Sequence, residues 1–455
     1  MTEIHARRAL LPEGWAENVT VTIEDGRIAS VTADTANAGG AHAADVLLPA
    51  PANLHSHSFQ RAMAGMTEAR GPAGRDSFWT WRELMYRFLD QLGPEDVEAI
   101  AALVFVEMLE AGYASVGEFH YLHHAPGGAP YDNPAELSAR IAAAAAETGI
   151  GLTLLPVLYM QGGTDGRPLA GGQLRFGNDM ESYRRLLEGA EVAVSEAGPD
   201  ARTGVAPHSL RAVSPEALRE IAQHRPDAPI HMHIAEQEAE IREVLGAYGK
   251  RPVEWLLAAE EIGPRWCLIH CTHMTPAETE ALARSGAIAG LCPITEANLG
   301  DGIFDGARFL GAGGRFGIGS DSNIRITLSE ELRLLEYSQR LQDRSRAVLA
   351  SADRSTGRTI FEGAALGGAQ AIGRDCGAIR EGAWADLVAL DGDALAIHGF
   401  EGDTILDTFT FAGDDSCIAE VWSAGRHVVK TGRHIARDTV EPRFRAVMKR
   451  LLETR

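Results

Sequence analysis

Trp266-Cys267-Leu268-Ile269-His270, then Pro276 to Ser285, then Ala287-Ile288-Ala289-Gly290-Leu291 decide the fold. Two short apolar runs flank an amphipathic stretch of helical length, the pattern of a strand, a helix and a second strand in a βα series. The alternation extends in both directions, from Ala52 to about Ala371. Strands are predicted ahead of His55 and over Ala114 to His120, Gly151 to Tyr159, Thr203 to Ala206, Ile230 to Ile234, Trp266 to His270, Ala287 to Leu291 and Phe316 to Gly319. Helices are predicted over Pro94 to Ala111, Ala135 to Thr148, Met180 to Glu196, Pro215 to His224, Ala239 to Tyr248, Pro276 to Ser285 and Ser329 to Leu341. Eight such strand–helix pairs favour an α/β fold closed as a (β/α)8 TIM barrel over an open sheet.

Both ends of the chain return to β character. Val19-Thr20-Val21-Thr22-Ile23 and Arg27-Ile28-Ala29-Ser30-Val31 flank Asp25-Gly26, a hairpin signal, while Gly382 to Leu390 and Ala419 to Val429 are strand-like near the other end. The expectation is a small discontinuous β-sandwich domain built from both termini. The division is residues 1–48 for its N-terminal part, 49–375 for the barrel, 376–437 for its C-terminal part and 438–455 for a closing helix.

Composition narrows the function classes. Among 455 residues, 45% are apolar and 23% charged, values of a folded globular chain. Acidic residues outnumber basic ones 63 to 42, and the net charge of −21 repels phosphate backbones and anionic membranes, so neither nucleic acid nor membrane is an expected partner. An anionic substrate therefore needs local arginines. Five scattered cysteines suggest neither a disulfide framework nor a thiolate metal site, and fit a reducing cytoplasm. No run of roughly 18 apolar residues predicts a membrane span, and no apolar core follows the first arginines to make a secretion signal.

Polar residues that can carry chemistry collect at the predicted strand ends. His55-Ser56-His57 follows the first strand, and period-two alternation points both imidazoles to one side. Alone, His-X-His also suits a surface turn. In Ile230-His231-Met232-His233-Ile234-Ala235-Glu236 either histidine can ligate, the other being a satisfied core residue, and Glu236 opens the following loop. His270 ends another strand, with His273 suited to a loop hydrogen bond. Asp321, in Gly317-Ile318-Gly319-Ser320-Asp321-Ser322-Asn323, suits a cation ligand, a base or an ordinary turn. Three imidazoles and a carboxylate on successive strands of one barrel suit a divalent metal, zinc foremost, with iron or manganese also accommodated.

In carrying these four signatures in this order, the chain resembles the amidohydrolase superfamily, and Glu381 to Val388 resembles the Gly-X-Ala-Asp-Leu-Val strand of that family's β domain. Binuclear members use a carbamylated lysine; the lysines here are Lys250, Lys430 and Lys449, none at the end of Gly151 to Tyr159, taken as the fourth strand. The resemblance thus implies a single metal, Zn2+ ahead of Fe2+, held by His55, His57, His233 and Asp321. Pro51 to Met63, Ser77 to Glu83, Glu118 to Tyr121, Pro207 to Arg211 and His233 to Gln237 further resemble the N-formimino-L-glutamate deiminases of histidine degradation.

That narrower resemblance implies hydrolysis of a linear amidine to N-formyl-L-glutamate and ammonia, with Glu236, His270 and Asp321 as catalytic groups. It implies a small dicarboxylate substrate contacted by Gln60, Arg82, Tyr121, His208 and Arg211, and a homodimer. The guanidinium groups of Arg82 and Arg211 match carboxylates through paired hydrogen bonds, although Arg82 also suits an ion pair with Glu83. Trp79 and Trp81 suit core packing better than substrate stacking. Two other readings stand beside it: a mononuclear deaminase of a nucleobase or guanidino compound, and a non-catalytic metal-binding scaffold.

Overall fold

The computed structural model describes residues 1–37, 39–68 and 85–453. Four strands open the chain: β1 (Thr2–Leu11), β2 (Gly14–Glu24), β3 (Arg27–Thr32) and β4 (His42–Pro49). The barrel strands follow as β5 (Ala52–Ser56), β6 (Ser115–His120), β7 (Gly151–Leu158), β8 (Arg202–Thr203), β9 (Ala206–Pro207), β10 (Ile230–Ile234), β11 (Trp266–His270), β12 (Ile288–Leu291) and β13 (Arg315–Ile318). Last come β14 (Leu387–Leu390), β15 (Ile418–Ser423), β16 (Arg426–Lys430) and β17 (Arg433–His434).

Barrel neighbours pair in parallel, and their side chains are buried almost throughout, as strands enclosed by helices must be. The seam closes where β13 meets β5. The Asp321 amide donates to the His55 carbonyl and the His57 amide to the Asp321 carbonyl, both at 2.9 Å. The predicted strand Thr203 to Ala206 is two short pieces, β8 and β9, interrupted at Gly204 and Val205, and both pair with β7. This makes β7 the third barrel position rather than the fourth; no lysine ends the true fourth strand, β8 with β9, either.

Local chemistry explains the βα unit quoted first. The Thr275 hydroxyl accepts from the Glu278 amide at 3.3 Å, while the Glu278 carboxylate accepts from the Thr275 amide at 2.7 Å. This reciprocal cap, with Pro276 in the first turn, starts the helix Pro276–Ser285, and Gly286, at φ +81°, ends it. Helices absent from the sequence expectation also form, among them Pro293–Leu299, Thr356–Ala371 and Asp403–Phe411.

Strands from the two ends form one hydrogen-bonded order, β17-β16-β15-β14-β4-β1-β2-β3. Ile4, Val21, Leu47, Leu387 and Trp422 belong to an apolar cluster of its own, separate from the main barrel core. Asp25 (φ +49°) and Gly26 (φ +79°) make the β2–β3 turn, both left-handed as a two-residue hairpin requires. Among the described residues, no helix is long and apolar enough to cross a membrane.

Candidate metal centre and active site

Strand ends bring the predicted residues to one place. His55 sits on β5 and His57 just beyond it, His233 is on β10, and Asp321 follows β13. His55 Nε2 lies 3.1 Å from His233 Nε2 and 3.5 Å from Asp321 Oδ1; His57 Nε2 lies 3.2 Å from that same oxygen. All four donor atoms fall within 4.8 Å of one another, and all four residues are buried. Tetrahedral ligation at zinc–nitrogen lengths separates donor atoms by about 3.3 Å.

The surrounding contacts fit a cation. His57 Nδ1 donates to the Phe119 carbonyl at 2.9 Å and His233 Nδ1 to the His208 carbonyl at 3.2 Å. With those hydrogens committed outward, each Nε2 turns a lone pair toward the centre. Burial above all drives His55 down to about 3, and burial with the neighbouring imidazoles lowers His233 far below its ordinary range. Both are neutral imidazoles at pH 7, the form that can ligate a metal. Burial opposes ionisation of Asp321, yet hydrogen bonding to His55 and His57 outweighs it and holds the carboxyl well below the usual range. His231, left open by the strand pattern, donates instead to the Ala371 carbonyl at 2.8 Å and stands outside the cluster.

Side-chain ties hold the seam. Asn53 Nδ2 donates to Ser320 Oγ at 2.7 Å, Ser320 Oγ to Asn323 Oδ1 at 2.6 Å, and Asn323 Nδ2 to Ser56 Oγ at 3.1 Å. Gly319 permits the close approach, since a Cβ there would lie 2.7 Å from the His55 carbonyl oxygen. His270 and Asp321 adopt φ of +72° and +47°, a conformation that costs non-glycine residues energy and is retained here at the strand tips.

A cavity of about 570 Å³ opens over this centre. His270 Nε2 lies 3.9 Å from both Glu236 Oε1 and Asp321 Oδ2, and its Nδ1 lies 3.3 Å from Glu296 Oε1. Burial opposes a charge on His270, but Glu236, Glu296 and Asp321 together lift it to about 10. Burial raises Glu236, and the neighbouring His270 partly offsets that.

The model of the amidohydrolase family matches residues 46–428. The chain belongs to this family. Residues 1–45 match a second model, the N-terminal domain of formimidoylglutamate deiminase HutF. Over its full length this amidohydrolase is 49% identical to the formimidoylglutamate deiminase of Pseudomonas aeruginosa, all of which is covered. An amidohydrolase from Brucella melitensis of known crystal structure is 50% identical, with a TM-score of 0.96 over 99% of this chain and 100% of that one. A Xanthomonas campestris adenosine deaminase with bound zinc shares the fold alone, at 21% identity and a TM-score of 0.83 over 99% and 98% of the two chains. The family uses a divalent metal, and this amidohydrolase presents three imidazoles and a carboxylate where one fits.

Gln60, Tyr121, His208 and Arg211 line the same cavity, with the Tyr121 ring 4.8 Å from that of His57 and the His208 ring 4.9 Å from that of His233. Gln60 Nε2 donates to the Tyr121 hydroxyl at 2.7 Å, and His208 Nδ1 lies 3.0 Å from Ser209 Oγ. The His208 ring meets Tyr159 edge to face at 4.6 Å. Arg82, Trp79 and Trp81 lie outside the described residues. The amidohydrolase cavity also holds residues that sequence reading passed over, including Tyr86, Phe176 and Thr295. Glu296 was findable: it follows the predicted strand Ala287 to Leu291 by one turn, at the end of the barrel where the other polar residues collect. Asp301 carried no such signal, yet burial, then Glu236, pushes it up to about 9.

Proposed function

We propose that this amidohydrolase hydrolyses N-formimino-L-glutamate to N-formyl-L-glutamate and ammonia, a step of L-histidine degradation. The observation that carries the reading is one cavity, set against the His55/His57/His233/Asp321 donor set, that is lined by Glu236, His270, Arg211 and Gln60 together. The full-length likeness to a formimidoylglutamate deiminase supports the same substrate. The proposed metal is a single zinc ion, held by His55, His57, His233 and Asp321, since a nitrogen-rich set with one carboxylate suits it.

When bound, such a metal supplies a water acidified to a pKa near 7. Asp321 takes a proton as the water oxygen bonds to the formimino carbon. Glu236, whose carboxyl burial raises, gives a proton to the imino nitrogen. His270, charged near neutrality, orients the attacking oxygen through hydrogen bonding. A further proton passes by way of Glu236 to the amino group, the C–N bond breaks, and ammonia leaves the formyl product. Arg211 pairs with a substrate carboxylate; Gln60, Tyr121 and His208 supply polar contacts, and Arg82 is proposed as a second carboxylate partner. The Arg211 guanidinium in the cavity lining favours an anionic linear substrate over a neutral purine ring.

The five cysteines are all free and buried, in keeping with a cytoplasmic enzyme, and the proposed assembly is a homodimer. The test is ammonia release by metal-quantified enzyme from formimino-glutamate, formimino-aspartate, guanidino acids and nucleobases. A clear preference in kcat/KM for formimino-glutamate is expected; a nucleobase turned over faster overturns the assignment.

A further inference from the structure

The β domain gathers a second set of convergent donors. His42 lies on β4, Glu420 on β15 and His427 on β16, and their donor atoms all fall within 4.8 Å of one another. His427 Nε2 is 2.6 Å from Glu420 Oε2, and His42 Nε2 contacts the same oxygen. Both contacts are close ion-pair contacts to one oxygen, and His42 Nε2, His427 Nε2 and Glu420 Oε2 are each buried. Two buried ring nitrogens converging on one carboxylate oxygen is an arrangement that a shared cation satisfies as well as paired hydrogens do.

We propose that His42, Glu420 and His427 form a second divalent-cation site, suited to zinc and separate from the barrel centre. The donors are two imidazoles and one carboxylate, a nitrogen/oxygen set of the kind zinc takes. The rings are held in advance. His427 stacks on Trp422 at 4.6 Å with an interplanar angle of 18°, and His42 meets His427 edge to face at 4.8 Å. Trp422 is itself buried, so its indole is a fixed platform. The His42 side chain is 35% exposed although its Nε2 is buried, so the cluster lies just beneath the protein surface, and a cation held there would take water as a further ligand.

The location gives the site a role. β4 belongs to the N-terminal part of the sheet, β15 and β16 to the C-terminal part, and β14 separates β4 from β15 in the hydrogen-bonded order. Contact between side chains on strands that are not paired requires the sheet to curl, and a cation there fastens the curl. Because the three ligands come together only in the folded chain, binding favours folding of the joined ends.

The test uses the full chain, stripped of metal and equilibrated by dialysis against micromolar free Zn2+. The expected content is about two zinc ions per chain for the wild type and about one for Glu420→Gln and for His427→Gln. Ammonia release from formimino-glutamate should stay within about twofold of wild type in both variants, because neither residue lines the barrel cavity. Equal zinc content in wild type and folded variants overturns the proposal. Should the variants fail to fold, anomalous diffraction at the zinc edge from zinc-soaked wild-type crystals decides: a peak between His42, Glu420 and His427 supports the site, and its absence removes it. These readouts count and locate zinc, so failure of the proposed deiminase activity leaves them independent.

Discussion

Burial raises the Glu236 carboxyl while His270, held to one side by Glu296, draws it back toward ionisation. A raised carboxyl beside a base is the kind of group that serves as a proton carrier, the role proposed for Glu236. Glu236→Gln removes the proton and keeps the shape, so turnover should fall about 10²- to 10⁴-fold with metal content unchanged. Ammonia-release kinetics beside metal analysis check this, and near-normal turnover would strip Glu236 of acid–base duty. Arg211 lines the same cavity without belonging to the His55/His57/His233/Asp321 set. Losing one charge-assisted carboxylate contact costs about 1.5–3 kcal/mol, so Arg211→Ala should raise KM about 10- to 100-fold with metal content intact. An unchanged KM defeats the carboxylate role. The histidines of the proposed metal site were legible because imidazoles at strand ends are conspicuous against apolar runs. Ser320 and Asn323 were not, because hydroxyl and amide side chains abound in turns and only the folded seam shows what they join.

At the level of elements, the β5–β13 seam is held by the Asn53–Ser320–Asn323–Ser56 chain rather than by long strand pairing. Asn323→Ala frees the turn that carries Asp321, and metal affinity should drop about 10- to 100-fold, the usual loss when a group that orients a ligand is removed. Titration against a competing chelator measures it; unaltered affinity would mean that the backbone bonds between β5 and Asp321 suffice. Strands β10 and β11 could be read to the residue, since β10 alternates apolar residues with histidines from Ile230 to Ile234 and β11 is an apolar run closed by His270. The fourth barrel strand resisted such reading because Gly204 packs against the Pro229 carbonyl and Pro207 has no amide hydrogen to donate. The helix Thr356–Ala371 contains Gly357, Gly363, Gly367 and Gly368, which disfavour helix by propensity. Packing wins: a Cβ on Gly367 would overlap the Phe316 carbonyl, so these glycines let the helix lie directly on the barrel.

Across the whole molecule, the barrel and the sheet from the two chain ends are locked by one buried ionic group. Arg374 bonds Asp386 at 2.7 Å and Asp200 at 2.9 Å, and Arg426 on β16 bonds Asp200 at 2.7 Å. Sequence periodicity indicated that both ends were β, but not this lock, because its members lie far apart along the chain and each alone resembles a surface charge. Burial acts to raise the Asp200 carboxyl, yet Arg426 and Arg374 more than compensate and hold it below its ordinary 3.8. With the folded value below the unfolded one, ionised Asp200 stabilises the fold in full above about pH 5, and this contribution is lost as pH falls through the folded value. Removing one partner from a buried ion pair costs about 3–5 kcal/mol. Asp200→Asn should therefore lower the urea midpoint by a constant amount between about pH 5 and 8, and the gap to wild type should narrow below about pH 4. Because the lock joins β16 and the loop before β14 to the barrel, the variant should also expose the β15–β17 amides to hydrogen exchange before those of β10 and β11. A gap that stays constant down to pH 3 would mean that Asp200 acts through packing and backbone contacts rather than through its charge.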